Sequence, residues 1–324
     1  MKYVNFPTDE TRRLSFYLST EEYLATHFPE DEYFFMWQTK PTVIFGRNQL
    51  IENEVNLDYV KANHIEYYRR KSGGGCVYSD NKNIMFSFIT TTFNKDFVFD
   101  KYLGRVVEGL KRLGIDAYFS GRNDIMLDGR KISGNAFYRV GNRSVVHGTM
   151  MYDVDVEAMV KSITPNNEKL ISKGVDSVRQ RVTNLKDHFE LDLDTFKSEM
   201  KRFLSDEQII LTEEDMKKIA KIEKEYLKDD FIYGKNPNYT LLRKGRTNAG
   251  GLEISLELKN NIIKKMNILG DFFLLSDLDG FLMKFKNIPF EVGKIDAIIS
   301  EEDVQNTIYG LSKKDFLDLL FELD

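Results

Sequence analysis

The sequence predicts an α+β fold: a large domain with a mixed or antiparallel β-sheet flanked by helices, then a small α+β C-terminal domain. Three observations lead there. Short runs rich in Ile, Val, Phe, Tyr and Met recur between Tyr33 and Tyr152, several beside Gly- or Asn-containing turns. Helical spacing accompanies them in Phe99, Tyr102, Leu103, Val106, Val107, Leu110 and Leu113, with Gly114 as a natural stop. Near the other end, Leu252, Ile254, Leu256 and Leu258 alternate strictly with Glu253, Ser255 and Glu257, the signature of a strand.

Taken in order, a first helix covers Thr11 to His27 and stops at Pro29. Extended runs follow at Tyr33 to Gln38 and Val43 to Phe45, separated by Pro41, then at Ile65 to Tyr68, Ile84 to Thr91, Asp124 to Leu127 and Ser144 to Tyr152. From Asp153 to Lys228 the pattern is mostly helical. Thr212 is a good N-cap there, because acidic residues fill the next three positions and favour the positive end of the helix dipole. Met216, Ile219, Ile222 and Tyr226 form its apolar stripe. The character changes between Gly234 and Gly251, where Gly, Asn, Pro237 and basic residues cluster. Beyond it, Asn260-Asn261 turns the alternating strand into a second one containing Met266 and Ile268, and a helix capped by Ser312 closes the chain. The expected domains are residues 1–243 and 244–324, a size suited to one large and one small core.

Composition narrows the function classes. Lys plus Arg number 46 against 51 Asp plus Glu, a net charge of −5, so the broad basic field of a nucleic-acid binder is missing. Cys76 is the only cysteine, which excludes an internal disulfide and any cysteine-rich metal site. The four histidines, at 27, 64, 147 and 188, have no metal-site spacing. Apolar stretches such as Tyr33 to Trp37 are far shorter than the roughly 20 residues needed to span a bilayer. The expectation is a cytoplasmic protein in a reducing compartment, with neither nucleic acid nor membrane as partner.

Three segments carry candidate chemistry. In Arg69-Arg70-Lys71-Ser72-Gly73-Gly74-Gly75-Cys76-Val77-Tyr78-Ser79-Asp80 three consecutive glycines follow three basic residues between two strands. Such a bare backbone can approach a ligand closely and offer N–H groups to phosphate oxygens. The segment is neither a Walker loop nor a Gly-x-Gly-x-x-Gly fingerprint, and a glycine-rich hairpin flanked by surface charge would read the same. The second segment runs from Gly121-Arg122-Asn123-Asp124 to Lys131-Ile132-Ser133-Gly134-Asn135. If it is extended, Lys131 and Ser133 share one side and Ile132 faces the core. Lys131 could hold a developing negative charge and Asp124 a divalent cation, although a turn lysine and a loop-ending Asn-Asp pair are equally ordinary. In the third, Ser144 to Tyr152, His147 and Thr149 share one strand face.

Read together and in order, these segments resemble the lipoate–protein ligase family of the biotin/lipoate ligase superfamily. The likeness runs from Phe45-Gly46-Arg47-Asn48-Gln49 through Arg70 to Asp80, Gly121 to Asp124, Lys131 to Gly134 and His147-Gly148-Thr149 to Ser177-Val178-Arg179-Gln180-Arg181-Val182-Thr183-Asn184-Leu185. The resemblance implies that lipoate attacks the α-phosphate of ATP, giving lipoyl-adenylate and pyrophosphate, before a carrier lysine displaces AMP. The carrier would be a lipoyl-domain protein, either the E2 subunit of a 2-oxo acid dehydrogenase or a glycine-cleavage H protein. It also implies residue roles. Arg70, Gly73, Gly74, Gly75, Cys76, Val77 and Tyr78 line the nucleotide site, with Asn123 and Asp124 as contacts to nucleotide or Mg2+. Lys131 bridges carboxylate and α-phosphate. Ser133, Gly134, His147, Gly148 and Thr149 belong to the acyl pocket. Cys76, Ser79, Asn135 and Val146 depart from the family pattern beside these positions, which leaves the choice between lipoate and octanoate open.

Two competitors stand beside this reading. An acyltransferase of the same superfamily would move the acyl group through a cysteine thioester; Ser162-Ile163-Thr164-Pro165 holds no cysteine, so Cys76 would have to serve. A non-catalytic nucleotide or lipoate sensor would have no need of Lys131.

Overall fold

The computed structural model describes residues 1–49, 51–92, 95–120, 123–163, 180–233 and 241–322. Gly121, Arg122, Thr164, Pro165, Ser177 to Arg179, Gly234 and Pro237 lie outside the described residues. The chain divides into two compact units, Met1–Phe45 with Ile51–Arg70 and Cys76–Ile232, and Gly46–Leu50 with Lys71–Gly75 and Tyr233–Asp324.

The first unit is built on an eight-stranded mixed sheet in the order β11-β1-β2-β6-β10-β9-β8-β7. Its strands are β1 (Lys2–Asn5), β2 (Tyr33–Trp37), β6 (Asn83–Thr90), β7 (Tyr118–Phe119), β8 (Asp124–Leu127), β9 (Arg130–Val140), β10 (Arg143–Met151) and β11 (Glu207–Ile210). β1 runs parallel to β2 and β11, and the other pairings are antiparallel. Both faces are covered, so β2 and β6 are buried throughout rather than alternating. Phe34, Phe86, Phe88 and Val146 pack on one face with the helices Lys95–Arg112 and Leu193–Leu204. Tyr33, Phe35, Trp37 and Ile89 pack on the other with α1 (Leu14–His27) and the helix Glu213–Tyr226.

α1 begins three residues later than the sequence reading set it. Arg13 is extended at the N-cap, and the Arg12 N–H is satisfied by the Tyr17 hydroxyl at 3.1 Å instead of by a helical turn. Thr212 caps its helix through a reciprocal box with Asp215, an arrangement worth about 1 kcal/mol.

A second sheet in the same unit, of order β4-β3-β5, comprises β3 (Thr42–Phe45), β4 (Glu66–Arg69) and β5 (Val77–Ser79). β4 and β5 lie on opposite sides of β3. The segment between them therefore joins strands that are not neighbours, and a hairpin is ruled out. Val43, Phe45, Tyr78, Met151 and Met159 form the core around this sheet, with Cys76 and Val182 packed against it.

In the second unit, β12 (Leu241–Thr247), β13 (Gly250–Lys259) and β14 (Ile262–Gly270) form an antiparallel sheet in that order. Asn260 and Asn261 turn β13 into β14 with φ of 52° and 59°, the left-handed pair favoured in tight hairpins. One sheet face packs under the helices Leu278–Met283, Val292–Ile298, Glu301–Gln305 and Lys313–Phe321 around Phe281, Phe285 and Phe316. No helix among the described residues is long and apolar enough to cross a membrane.

Candidate active site

Lys131 sits near the start of β9, opposite Met126 of β8. Ser133 lies opposite Ile125, so Ile132 is one residue extra on β9 and forms a β-bulge. The bulge re-aims the strand. Ile132 remains in the core, fully buried. The Lys131 ammonium lies above Gly134, where a Cβ would come within 2.7 Å of Nζ. Strict alternation would have placed Lys131 on the side of Ser133; the bulge brings it to that of Gly134 and Asp124 instead. Asp124 stands directly opposite Gly134, with its Oδ1 2.8 Å from Lys131 Nζ. That oxygen is shut off from solvent and lacks hydrogen-bond alignment, so the pair is held by charge alone. Lys131 keeps 35% of its side chain exposed, enough for an arriving anion to reach it.

The residues around Lys131 fix its hairpin. Asn123 Nδ2 donates to the Asn135 carbonyl at 2.9 Å, and Asn135 Nδ2 donates to the Asn123 carbonyl and to Ser133 Oγ, both at 3.0 Å. Gly148 makes room for this clamp, since a Cβ there would lie 1.8 Å from Asn135 Oδ1. The Gly134 N–H donates to Thr149 Oγ1 at 3.3 Å. On its other edge Lys131 forms a parallel bridge with Val182 and accepts from the Thr183 N–H at 3.1 Å. Val182 packs against the same apolar cluster as Cys76 and Tyr78, which ties the end of the glycine segment to the lysine hairpin.

Arg70 is buried, with its N–H bonded to Phe45 O at 3.0 Å and Nη1 donating to Ile44 O at 3.1 Å. Burial lowers its pKa to about 10, so it stays charged at neutral pH while poorly solvated, a state that favours an incoming anion. Burial also pushes the Cys76 thiol up, with Glu54 adding to the effect. A thiol so placed is protonated and unreactive at neutral pH, which counts against the thioester route. In the second unit, the Gly74 N–H donates to Phe272 O at 3.0 Å, and a Cβ on Gly73 would lie 2.1 Å from that oxygen. A Cβ on Gly75 would meet nothing within 4 Å.

His147, opposite Ala136 on β9, shares its sheet face with Gly134, Tyr138 and Thr149 and turns toward α1. Its Nδ1 lies 2.9 and 3.0 Å from the two carboxylate oxygens of Glu21 on α1, a residue with no exposed surface. Ser87 Oγ and the Tyr138 hydroxyl donate to the same carboxylate at 2.5 and 3.1 Å, and Trp37 Nε1 donates to Ser87 at 2.8 Å. The sequence reading missed Glu21, Ser87, Tyr138 and Trp37. A signal existed for Glu21: it falls on the apolar stripe Leu14, Tyr17, Leu18, Leu24 and Ala25 of α1, where an acid needs a partner.

The site is thus a buried arginine, a half-exposed lysine beside one carboxylate, and a polar network enclosed against α1. No group of three or more potential metal-ligating side chains occurs among the described residues. Residues 14–205 match the lipoyl protein ligase A/B catalytic domain, and residues 236–320 the bacterial lipoate protein ligase C-terminus. The chain is 35% identical over 316 residues to the lipoate-protein ligase LplJ of Bacillus subtilis, covering 94% of this chain and 96% of that one. It is 33% identical to lipoate–protein ligase 1 of Staphylococcus aureus, covering 99% and 100%. Among solved structures, LipL1 of P. falciparum in complex with lipoate has a similar fold, with a TM-score of 0.78 at 21% identity over 98% of this chain and 97% of that one. A lipoate-protein ligase A bound with ATP gives 0.63 at 22% identity over 72% and 99%. With two family models matched along the chain and near full-length relatives above 30% identity, the chain belongs to the lipoate–protein ligase family.

Proposed function

We propose that this ligase activates lipoate, or its shorter relative octanoate, with ATP, releases pyrophosphate, and passes the acyl group from the adenylate to a lysine of a lipoyl-domain carrier protein. That carrier would be an E2 subunit of a 2-oxo acid dehydrogenase or a glycine-cleavage H protein. The work is assigned to a cytoplasm, where Cys76 stays a free thiol. The catalytic steps fall to the N-terminal segment, residues 1–243, and an accessory role to residues 244–324.

The observation that carries this reading is the Lys131 ammonium, partly exposed and 2.8 Å from Asp124 on a hairpin clamped by Asn123 and Asn135. A carboxylate and a triphosphate repel each other. One fixed cation between them aligns the attack and stabilises the charge that builds as it proceeds. Arg70 adds a second, poorly solvated cation for the nucleotide. The open side of Gly75, with Cys76, Val77 and Tyr78, gives the backbone room to approach it. Asp124 supplies one carboxylate, which suits Mg2+ arriving with ATP, since that ion keeps its other positions for phosphate and water. His147, held by Glu21, forms a polar end to the acyl pocket on the face it shares with Gly134 and Thr149, whereas Ser133 and Gly148 support that strand pair from the opposite face, beside Asn135.

The test is lipoate-dependent exchange of labelled pyrophosphate into ATP. Wild type exchanges, and Lys131→Ala falls by about 10²–10³-fold, the loss expected on removing one stabilising donor. Exchange that survives the substitution would refute the role of Lys131. Absence of exchange in wild type, with transfer abolished by Cys76→Ser, would point instead to a thioester transferase. Binding of lipoate or nucleotide without any turnover would identify a sensor.

A further inference from the structure

We propose that Gly134 is a positioning residue for the reaction: its bare α-carbon is the seat on which the Lys131 ammonium rests beside Asp124. The inference builds on the reading of Lys131 given above and adds what sets the position of that charge. The three nearest heavy atoms to a Cβ at 134 would be Lys131 Nζ at 2.7 Å, Lys131 Cε at 2.8 Å and Asp124 Oδ1 at 3.8 Å. All three are side-chain atoms of the proposed site. Gly148 differs, for a Cβ there would meet Asn135 Oδ1 at 1.8 Å and the Gly134 carbonyl at 3.0 Å, within the hairpin clamp. Gly73 differs too, since its Cβ would strike main chain at 2.1 Å.

Backbone conformation does not require glycine at 134, because the residue is not among those with positive φ. Nor does the sheet require it: an added methyl would meet a flexible side-chain end that can move away cheaply. What the glycine preserves is the place of the ammonium. The seat itself is rigid, held by the Gly134 N–H to Thr149 Oγ1 and by Asn135 bonded to Asn123 and Ser133. The bulge at Ile132 delivers the lysine onto it. A charge pair without hydrogen-bond alignment does not fix the ammonium by itself; contact with the strand surface supplies the missing constraint.

Ordinary contact between carbon and nitrogen begins near 3.5 Å, so a methyl at 134 displaces the ammonium by roughly 1 Å. Misplacement on that scale costs up to about 10²-fold in rate.

The experiment compares full-length wild type, Gly134→Ala, Lys131→Ala and the double variant. It reads pyrophosphate exchange, the KM for ATP, the thermal midpoint, and the Kd of a non-reactive acyl-sulfamoyl adenosine. Gly134→Ala is expected to lower the exchange kcat by about 10–10²-fold, with the ATP KM and the midpoint nearly unchanged. It is also expected to weaken the analogue in wild type and to cost nothing more once Lys131 is alanine, since coupled sites are not additive. Wild-type exchange in Gly134→Ala, an equal extra loss in the Lys131→Ala background, or failure of Gly134→Ala to fold would each overturn the proposal. Persistence of exchange in Lys131→Ala alone would instead overturn the reading beneath it.

Discussion

Glu21 offers the sharpest stability prediction. Its carboxylate has no exposed surface and accepts from Ser87 Oγ at 2.5 Å and the Tyr138 hydroxyl at 3.1 Å, while His147 Nδ1 approaches both oxygens within 3.0 Å. Glu21→Ala removes the shared acceptor and leaves three buried polar groups facing a small void. Each of the three stranded groups costs about 1–3 kcal/mol. The lower end of the combined range, about 3–5 kcal/mol, allows for relaxation around the void and for some rearrangement of Ser87. For a unit of this size each kcal/mol moves the midpoint by about 2–4 °C, so Tm should fall by roughly 6–20 °C. Glu21→Gln retains one acceptor oxygen, and its amide can donate to His147 in the other tautomer; the loss should shrink to about 1–2 kcal/mol. Scanning calorimetry with urea midpoints at constant m-value measures both. A Tm within about 3 °C of wild type for Glu21→Ala, or equal damage from the two substitutions, would refute the account of this network.

Four further outcomes follow from the geometry. Cys76→Ser should leave pyrophosphate exchange and acyl transfer within about threefold of wild type, because burial keeps the thiol protonated; loss of transfer in a folded variant would restore the thioester route. Gly73→Ala should destabilise the protein by about 1–3 kcal/mol, as its methyl would meet the Phe272 carbonyl. Gly75→Val should keep stability but raise the ATP KM, and an unchanged KM would contradict the nucleotide role of the loop. In the second unit, the Lys284 ammonium, followed by the Ser300 N–H, brings the Asp303 pKa down to about 2. The folded value lies below the unfolded one, so the associated stability is present above about pH 4 and disappears as pH falls toward 2. Asp303→Asn should flatten that acid limb in urea titrations; an unaltered slope would contradict the pairing.

Much of the fold was legible because its signals are local. β8 was placed at Asp124–Leu127 from pattern alone, the Asn260-Asn261 turn from residue type, the Thr212 cap from a hydroxyl preceding an acidic turn, and the Ser312 cap from its hydroxyl. The strands that escaped notice lack such signals. β11 is four residues at a sheet edge with mostly exposed side chains, and β12 reads Leu-Leu-Arg-Lys-Gly-Arg-Thr because its outer face is wet. A short or charged strand exists by virtue of the neighbour it pairs with, and that neighbour is distant in sequence: β11 finds Lys2 to Asn5.

The site divides along the same line. Lys131 could be named from its motif, since resemblance carries residue identity, but its direction could not. Alternation placed it beside Ser133, whereas the register between β8 and β9 skips a residue at Ile132 and sends it to Gly134. A bulge is a property of two strands together, and one strand's sequence does not contain it. Gly134 was therefore read only as part of the acyl pocket, and its closeness to the lysine ammonium is visible only in the structure. The same holds for Gly148, whose missing side chain is occupied by Asn135 from the strand opposite. In this site the glycines record where other side chains must lie. That is why the bulge at Ile132 and the bareness of position 134 have to be explained together: a lysine re-aimed by the strand needs an empty place to arrive.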